Sequence, residues 1–220
     1  MTLLFQTEID KLKKKILSLT ASVENNLSLA AKAVAERDIN LASQVIETDH
    51  EIDLQEVEVE EDCLKILALH QPVAIDLRFV IAALKINNDL ERIGDLAVNI
   101  AKRAKILAGL SPERVPFNFN GMISLTLDMV KRSADSLVDV DSQAARDVCA
   151  SDDIVDDHLK VAYQKLQEGM EHNPNLIKYY VALLGVARNL ERIADHATNI
   201  AEDVIYMVDG EIIRHRGKPD

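Results

Sequence analysis

The chain has little of what β-structure, secretion or membrane insertion requires. Its 220 residues include no Trp, and Phe and Tyr bring the aromatic fraction to only 4%. Seven Gly and five Pro are too few for the many turns of an all-β domain, whose strands also draw on aromatic residues. The two cysteines, Cys63 and Cys149, stand far apart in no recognisable motif and read as reduced residues of a cytosolic protein. The opening MTLLFQTEIDKLKKKILSLT alternates charged and apolar groups, without the continuous apolar core of a signal peptide. No apolar run elsewhere is long enough to cross a bilayer, so membrane insertion is not expected. Basic residues are outnumbered 25 to 37, leaving a formal net charge of −12. Such a chain repels phosphate backbones and anionic lipid, which argues against nucleic acid or a membrane surface as partner. It favours cations or basic protein surfaces instead.

What is present suits helices. Hydrophobic residues make up 48% of the chain, and Ala, Leu, Ile, Glu and Lys dominate. Gly and Pro cut the sequence at Pro72, at Gly109 to Gly121 (with Pro112 and Pro116 between), at Pro174 and from Gly210 onward. Between the cuts the periodicity is helical. Phe5, Ile9, Leu12, Ile16, Leu19, Val23 and Leu27 form one apolar seam, as in bundle packing. Asp38 reads as the N-cap of a second helix running to about Leu69. A third, with Pro72 at its start, spans about Val73 to Ala108 and ends at Gly109. A fourth follows from Met122 to Val140, a fifth from about Ala144 to His172, and a sixth from Pro174 to about Asp209. Gly94 and Gly185, inside long helices, mark close helix contacts.

The chain is also duplicated. Residues 90–101, LERIGDLAVNIA, return as LERIADHATNIA at 190–201, differing only at Gly94/Ala194, Leu96/His196 and Val98/Thr198. Upstream, Asp49 and Asp53 correspond to Asp152 and Asp156, and Pro72 to Pro174. The expected fold is all-α: six long helices in two similar three-helix bundles, residues 1–110 and 119–210, followed by a polar tail at 211–220. End-to-end and side-by-side placement of the bundles are equally open at this stage.

Packing accounts for Leu90, Ile93, Ala97, Ile100 and Ala101 in the repeat, but not for its polar residues. Spaced four apart, Glu91, Asp95 and Asn99 share one helix face, as do Glu191, Asp195 and Asn199, with Glu202 a further oxygen donor. Each stripe lies roughly opposite the Ile/Ala arc, so it faces outward or into a groove. The DxxxD pairs Asp49/Asp53 and Asp152/Asp156 sit on the neighbouring helix, and antiparallel packing can bring the two sets together. Like charges one turn apart cost a helix a few tenths of a kcal/mol. A hard cation would offset that, and so would ion pairs to the flanking Arg92 and Arg192; spacing alone leaves both open. His196, beside Asp195, is a possible further ligand, though a lone His more often packs. There is no nucleophile–base pair, no Gly-rich phosphate loop and no HExxH, hence no expected catalytic residue.

At these residues the chain resembles a known family. ERIGDLAVNIAKRA (91–104) and ERIADHATNIAEDVIYMVDG (191–210) are similar to the paired signatures of the PhoU family of phosphate-uptake regulators. The resemblance implies a cytoplasmic, non-enzymatic negative regulator of phosphate uptake and phosphate-starvation signalling. It implies two partners, the ATPase of a phosphate ABC transporter and a sensor histidine kinase, together with homodimer formation. It also implies iron or another divalent metal at the E/DxxxD motifs, and no organic cofactor. Carried over by position, the metal residues would be Glu191, Asp195, Asn199, Glu202, Asp152 and Asp156 in the second half, and Glu91, Asp95, Asn99, Asp49 and Asp53 in the first. One position departs from the pattern: Lys102 stands where the other half has Glu202, and a lysine there weakens cation binding or forms an ion pair.

Overall fold

The seam on the first helix fixes the architecture. In the computed structural model, which describes residues 3–111 and 113–211, all seven of its residues are buried, from Phe5 to Leu27. Six helices follow one another: α1 (Leu3–Glu36), α2 (Ile39–His70), α3 (Ala74–Ala108), α4 (Phe119–Asp139), α5 (Ser142–His172) and α6 (Ile177–Asp209). The 34 residues of α1 and the 35 of α3 give each a length of about 50 Å. Pro112 and the expected tail beyond Glu211 lie outside the described residues.

The duplication extends into the turns. Asp38 caps α2, its side chain accepting from the Asn40 and Leu41 N–H groups at 2.7 and 3.2 Å. Asp141 caps α5 in the same way, accepting from Gln143 and Ala144 at 2.9 and 3.0 Å. The residue before each cap, Arg37 or Val140, is left-handed, with φ 55° and 57°. The fifth helix therefore starts at Ser142 rather than near Ala144, because the Asp141 cap satisfies the first amides. Pro72 does not sit in the first turn of α3. The helix begins after Val73, which has no side-chain cap, and Gln71 and Ala74 make the bend with positive φ. Pro174 opens a short 3₁₀ turn, Pro174–Leu176, that runs into α6.

The two three-helix units lie side by side. α3 and α6 form the centre and share the most extensive contact in the molecule, and α1 also packs on α4. Their pairings run in opposite directions along the two helices. Arg78 donates to the Met207 carbonyl (3.1 Å), Lys85 reaches Asp203 (3.2 Å), Asp89 meets His196 (2.8 Å), and Arg103 lies over Gly185. The two helices are thus antiparallel. Ile93, Ile100, Ile193 and Ile200 are fully buried around this axis, each worth about 1.5–3 kcal/mol of apolar transfer. The connection between the units is tied to both. Arg37 on α1's end donates to the Leu107 and Leu110 carbonyls, Tyr179 on α6 donates to the Glu113 carbonyl, and the guanidinium of Arg37 stacks over the Tyr179 ring.

Within the described residues α2 touches only α1 and α3, whereas α5 touches α4, α6 and the turn before α6. The α2–α3 and α5–α6 surfaces are therefore two separate outer grooves, and the carboxylates lie there.

Candidate functional site

Both grooves gather the residues that the repeat singles out. In the first, Asp49 lies over Gly94: a methyl group at Gly94 would stand 3.3 Å from Ile52 Cγ2 and 3.5 Å from Asp49 Oδ1. Missing that methyl, α2 closes on α3 at the level of the acids. Burial is the main cause that pushes the Asp49 carboxyl up to about 6, and the charges of Asp53, Asp95 and Glu91 add to it; Lys102 opposes them. Glu91 is raised by burial and then by Asp95, with Arg92 opposing and Asp53 and Glu56 adding. In the second groove Asp152 is raised by burial, then by Asp195 and Asp156. Glu191 is raised by burial, then by Asp195, Asp156 and Asp152. Asp195 is raised by burial and Asp156, against His196 and Arg192. Each DxxxD thus faces the ExxxD of the next helix. Asn99 and Asn199 are exposed and, among the described residues, form no hydrogen bond with these acids.

The grooves differ in how their charge is met. Arg92 approaches Glu91 at 3.4 Å and Asp95 at 3.5 Å. Among the described residues no Lys, Arg or His comes within 4.0 Å of Asp152, Asp156, Glu191 or Asp195. His196 is turned away: its Nδ1 bonds to Asp89 Oδ1 at 2.8 Å across the α3–α6 contact, so it serves packing rather than the stripe. Two residues of the second groove, Thr198 and Cys149, carried no signal in the sequence beyond differing from their repeat partners, whereas Glu202 was among the expected donors. Thr198 Oγ1, where the first copy has Val98, is shielded from solvent and lacks a hydrogen bond of ordinary geometry, although it lowers the neighbouring Asp152 carboxyl somewhat. Glu202 and Cys149 are neighbours. The Cys149 thiol is pushed up to about 11, by burial first and then by Glu202 and Asp152.

A hard divalent cation fits this donor set. The donors are carboxylates and a hydroxyl, and a thiol so raised is protonated near neutral pH and offers no thiolate to a softer metal. Among the described residues, however, no three His, Cys, Asp or Glu side chains close around one point as a ready-made centre. The acids line the groove walls, and a cation would have to draw them together.

No helix among the described residues is long and apolar enough to cross a membrane, and a duplicated pair of three-helix bundles with an acidic groove on each side defines a helical-bundle protein. The PhoU domain model matches it twice, at residues 8–104 and 119–204, and the chain belongs to the PhoU family. A phosphate-specific transport system accessory protein PhoU homolog from Aquifex aeolicus is 38% identical over 209 residues, covering 95% of each chain. A protein of the same description from Pseudomonas putida is 37% identical over 97% of this chain and 84% of its own. The crystal structure of PhoU from Pseudomonas aeruginosa superposes with a TM-score of 0.90 at 37% identity, over 94% of this chain and 100% of that one.

Proposed function

We propose that this protein is a non-enzymatic regulator of phosphate-specific transport. It acts in the cytoplasm as a homodimer and holds phosphate uptake and phosphate-starvation signalling in their quiet state when phosphate is plentiful. The observation that carries the reading is similarity over nearly the whole chain to proteins named as accessory to that transport system. On this reading it couples the transporter's ATPase to a sensor histidine kinase by docking rather than by chemistry. The exposed side of α2 suits that role: nine acids fall within residues 47–64, with Leu54, Val57 and Leu64 exposed among them. Such a surface complements basic patches on a partner. Deleting the gene and following a phosphate-starvation reporter in high phosphate tests the proposal. Derepression is expected, and unchanged repression would overturn it.

A second reading concerns what the grooves hold. The closely spaced Asp152, Asp156, Glu191 and Asp195 of the second groove, which among the described residues have no Lys, Arg or His within 4.0 Å, favour a bound divalent cation such as iron or manganese. Glu191, Asp195, Asp152, Asp156 and Glu202 would hold it, and its charge would brace α5 against α6. Purified protein should then carry metal that is lost on changing Glu191 and Asp195 together to Ala. Metal-free protein from cells grown with ample iron and manganese would count against it.

A further inference from the structure

The two peripheral helices come from one duplicated element, yet their outer sides differ. On α2, Ile39, Ile46, Leu54, Val57 and Leu64 fall within an arc of about 80° around the helix axis. That arc lies roughly opposite the buried row Val45, Ile52, Val59 and Ile66, which seats α2 on α1 and α3. Ile46 is partly buried, but Ile39, Leu54, Val57 and Leu64 each leave about half of their surface in solvent. The fold does not need apolar residues there. At the same positions α5 carries Ser142, Cys149, Asp157, Lys160 and Gln167. It exposes Ile154 and Val161 instead, at the positions of Glu51 and Glu58, where they border a recess with Phe117 of the connection between the units. Ile39 and Ile46 stand seven residues apart, as do Val57 and Leu64. That is the repeat of a second packing seam, as on a helix with neighbours on two sides.

Charge decides what can cover this seam. Carboxylates flank it on both sides, Asp53 and Glu60 toward α3 and Glu47, Glu51 and Glu58 toward α1. Lys15 of α1 reaches Glu58 and Asp62 at 3.4 and 2.7 Å, and Lys65 reaches Glu61 and Asp62, each at 3.6 Å. Among the described residues no Lys or Arg comes within 4.0 Å of Glu47, Glu51, Asp53 or Glu60. In a helix pair the residues flanking the seam meet those of the partner and select it. A second α2 would set like charges against each other, and an anionic bilayer would be repelled. We infer that the outer side of α2 is the seat of one amphipathic helix of a partner protein, packed along it in coiled-coil fashion, with an aliphatic seam flanked by Lys and Arg. From Ile39 to Leu64 the seat is about 38 Å long, which roughly three to four heptads of partner would cover. This deepens the docking reading given above and rests on it.

The probe is a labelled synthetic helix of about four heptads, with Leu along its seam and Lys at the flanking positions. It is titrated with the full-length chain and followed by fluorescence anisotropy. Giving α2 the residues of α5, by Leu54→Asp/Val57→Lys/Leu64→Gln, leaves the net charge unchanged and removes only the seam. It should weaken binding roughly tenfold or more. Giving α5 the residues of α2, by Ile154→Glu/Val161→Glu, should change it by less than about twofold. A Glu-flanked probe should not bind, and helical circular dichroism checks that each variant folds. Undiminished binding by the triple variant, equal binding of the Glu-flanked probe, or no binding by the parent chain would overturn the inference. So would dissociation of the triple variant to a smaller species in sedimentation velocity, which would make a second copy the occupant. In cells the triple variant should derepress the starvation reporter as gene deletion does. Continued repression by it, with the deletion derepressing, would overturn the seat and leave the regulatory reading standing. Repression unchanged by the deletion itself would overturn the regulatory reading instead.

Discussion

The first and second units share a backbone plan and the buried isoleucines of the repeated motif, and differ both in the core (Val80/Tyr180, Ile86/Val186) and in the grooves. Leu96 became His196, Val98 Thr198 and Lys102 Glu202, while Ile93/Ile193 and Ile100/Ile200 stayed the same and are all fully buried. Packing tolerates little change in volume at these positions, whereas a groove can exchange charge without moving a helix. Duplication thus supplied two copies of one scaffold, and the polar positions were free to separate. The central contact shows it too. Lys85 meets Asp203, but at the equivalent point on the other side the pair is Gly185 and Arg103, whose guanidinium would lie 2.8 Å from a methyl at Gly185.

If the cores are equivalent, they should fail equally. Ile93→Ala and Ile193→Ala should each cost about 2–4 kcal/mol, a fall in Tm of roughly 5–15 °C for a chain of this size. Calorimetry on the two variants checks this. A large inequality would break the equivalence and show that one unit folds with little dependence on the other.

The next effect sharpens the difference instead. Asp89→Ala strands His196, whose side chain is only 19% exposed, and should cost about 1–2 kcal/mol. Giving this contact the residues of the opposite copy, by Asp89→Asn with His196→Leu, should restore most of that loss, since Asn189 and Leu96 already occupy the equivalent positions. Urea unfolding of the single and double variants measures the coupling. Additive losses would show that the pair is incidental.

Legibility in the sequence followed the same division. Helix seams, the Asp38 cap and the duplicated ExxxD were readable because packing and capping impose fixed spacings. Asp141 was missed as a cap although it repeats Asp38 at the same offset as the DxxxD pairs. Side-by-side placement was not readable, because it depends on α3 and α6 burying their faces against each other, a contact between segments about one hundred residues apart. Beside Asp195 in sequence, His196 left ligation open as the less common alternative to packing. On a helix adjacent residues diverge by about 100°, so His196 faces α3 and not the groove. Thr198 and Cys149 were invisible because only the fold brings them to Asp152.

Acid should favour the folded chain within the first groove. Asp49 is raised to about 6 from an ordinary 3.8, so the folded state holds its proton more tightly than the unfolded one. Its ionised form therefore opposes folding at neutral pH, and stability is lost as pH rises from about 4 to about 6. Asp49 is partly open to solvent, so the effect is about 1 kcal/mol once screening is allowed for. Without metal, the Asp49 contribution should raise Tm at pH 4 relative to pH 7.5, and Asp49→Asn should shrink that difference by roughly 1–3 °C. An unchanged pH dependence in Asp49→Asn would place the effect on other carboxyls.

The smallest expected effect tests whether the charge at positions 102 and 202 distinguishes the two grooves. In chelator and low salt, Lys102→Glu should destabilise the chain by roughly 0.3–0.5 kcal/mol, because it adds a carboxylate to four others and removes the ammonium that offsets them. Glu202→Lys should stabilise by a similar amount. Both changes should fade as ionic strength approaches 1 M, where the screening length falls to about 3 Å. Opposite signs that fade with salt arise from the charge at these two equivalent positions and not from their packing. Shifts of one sign in both variants would assign the effect to side-chain packing.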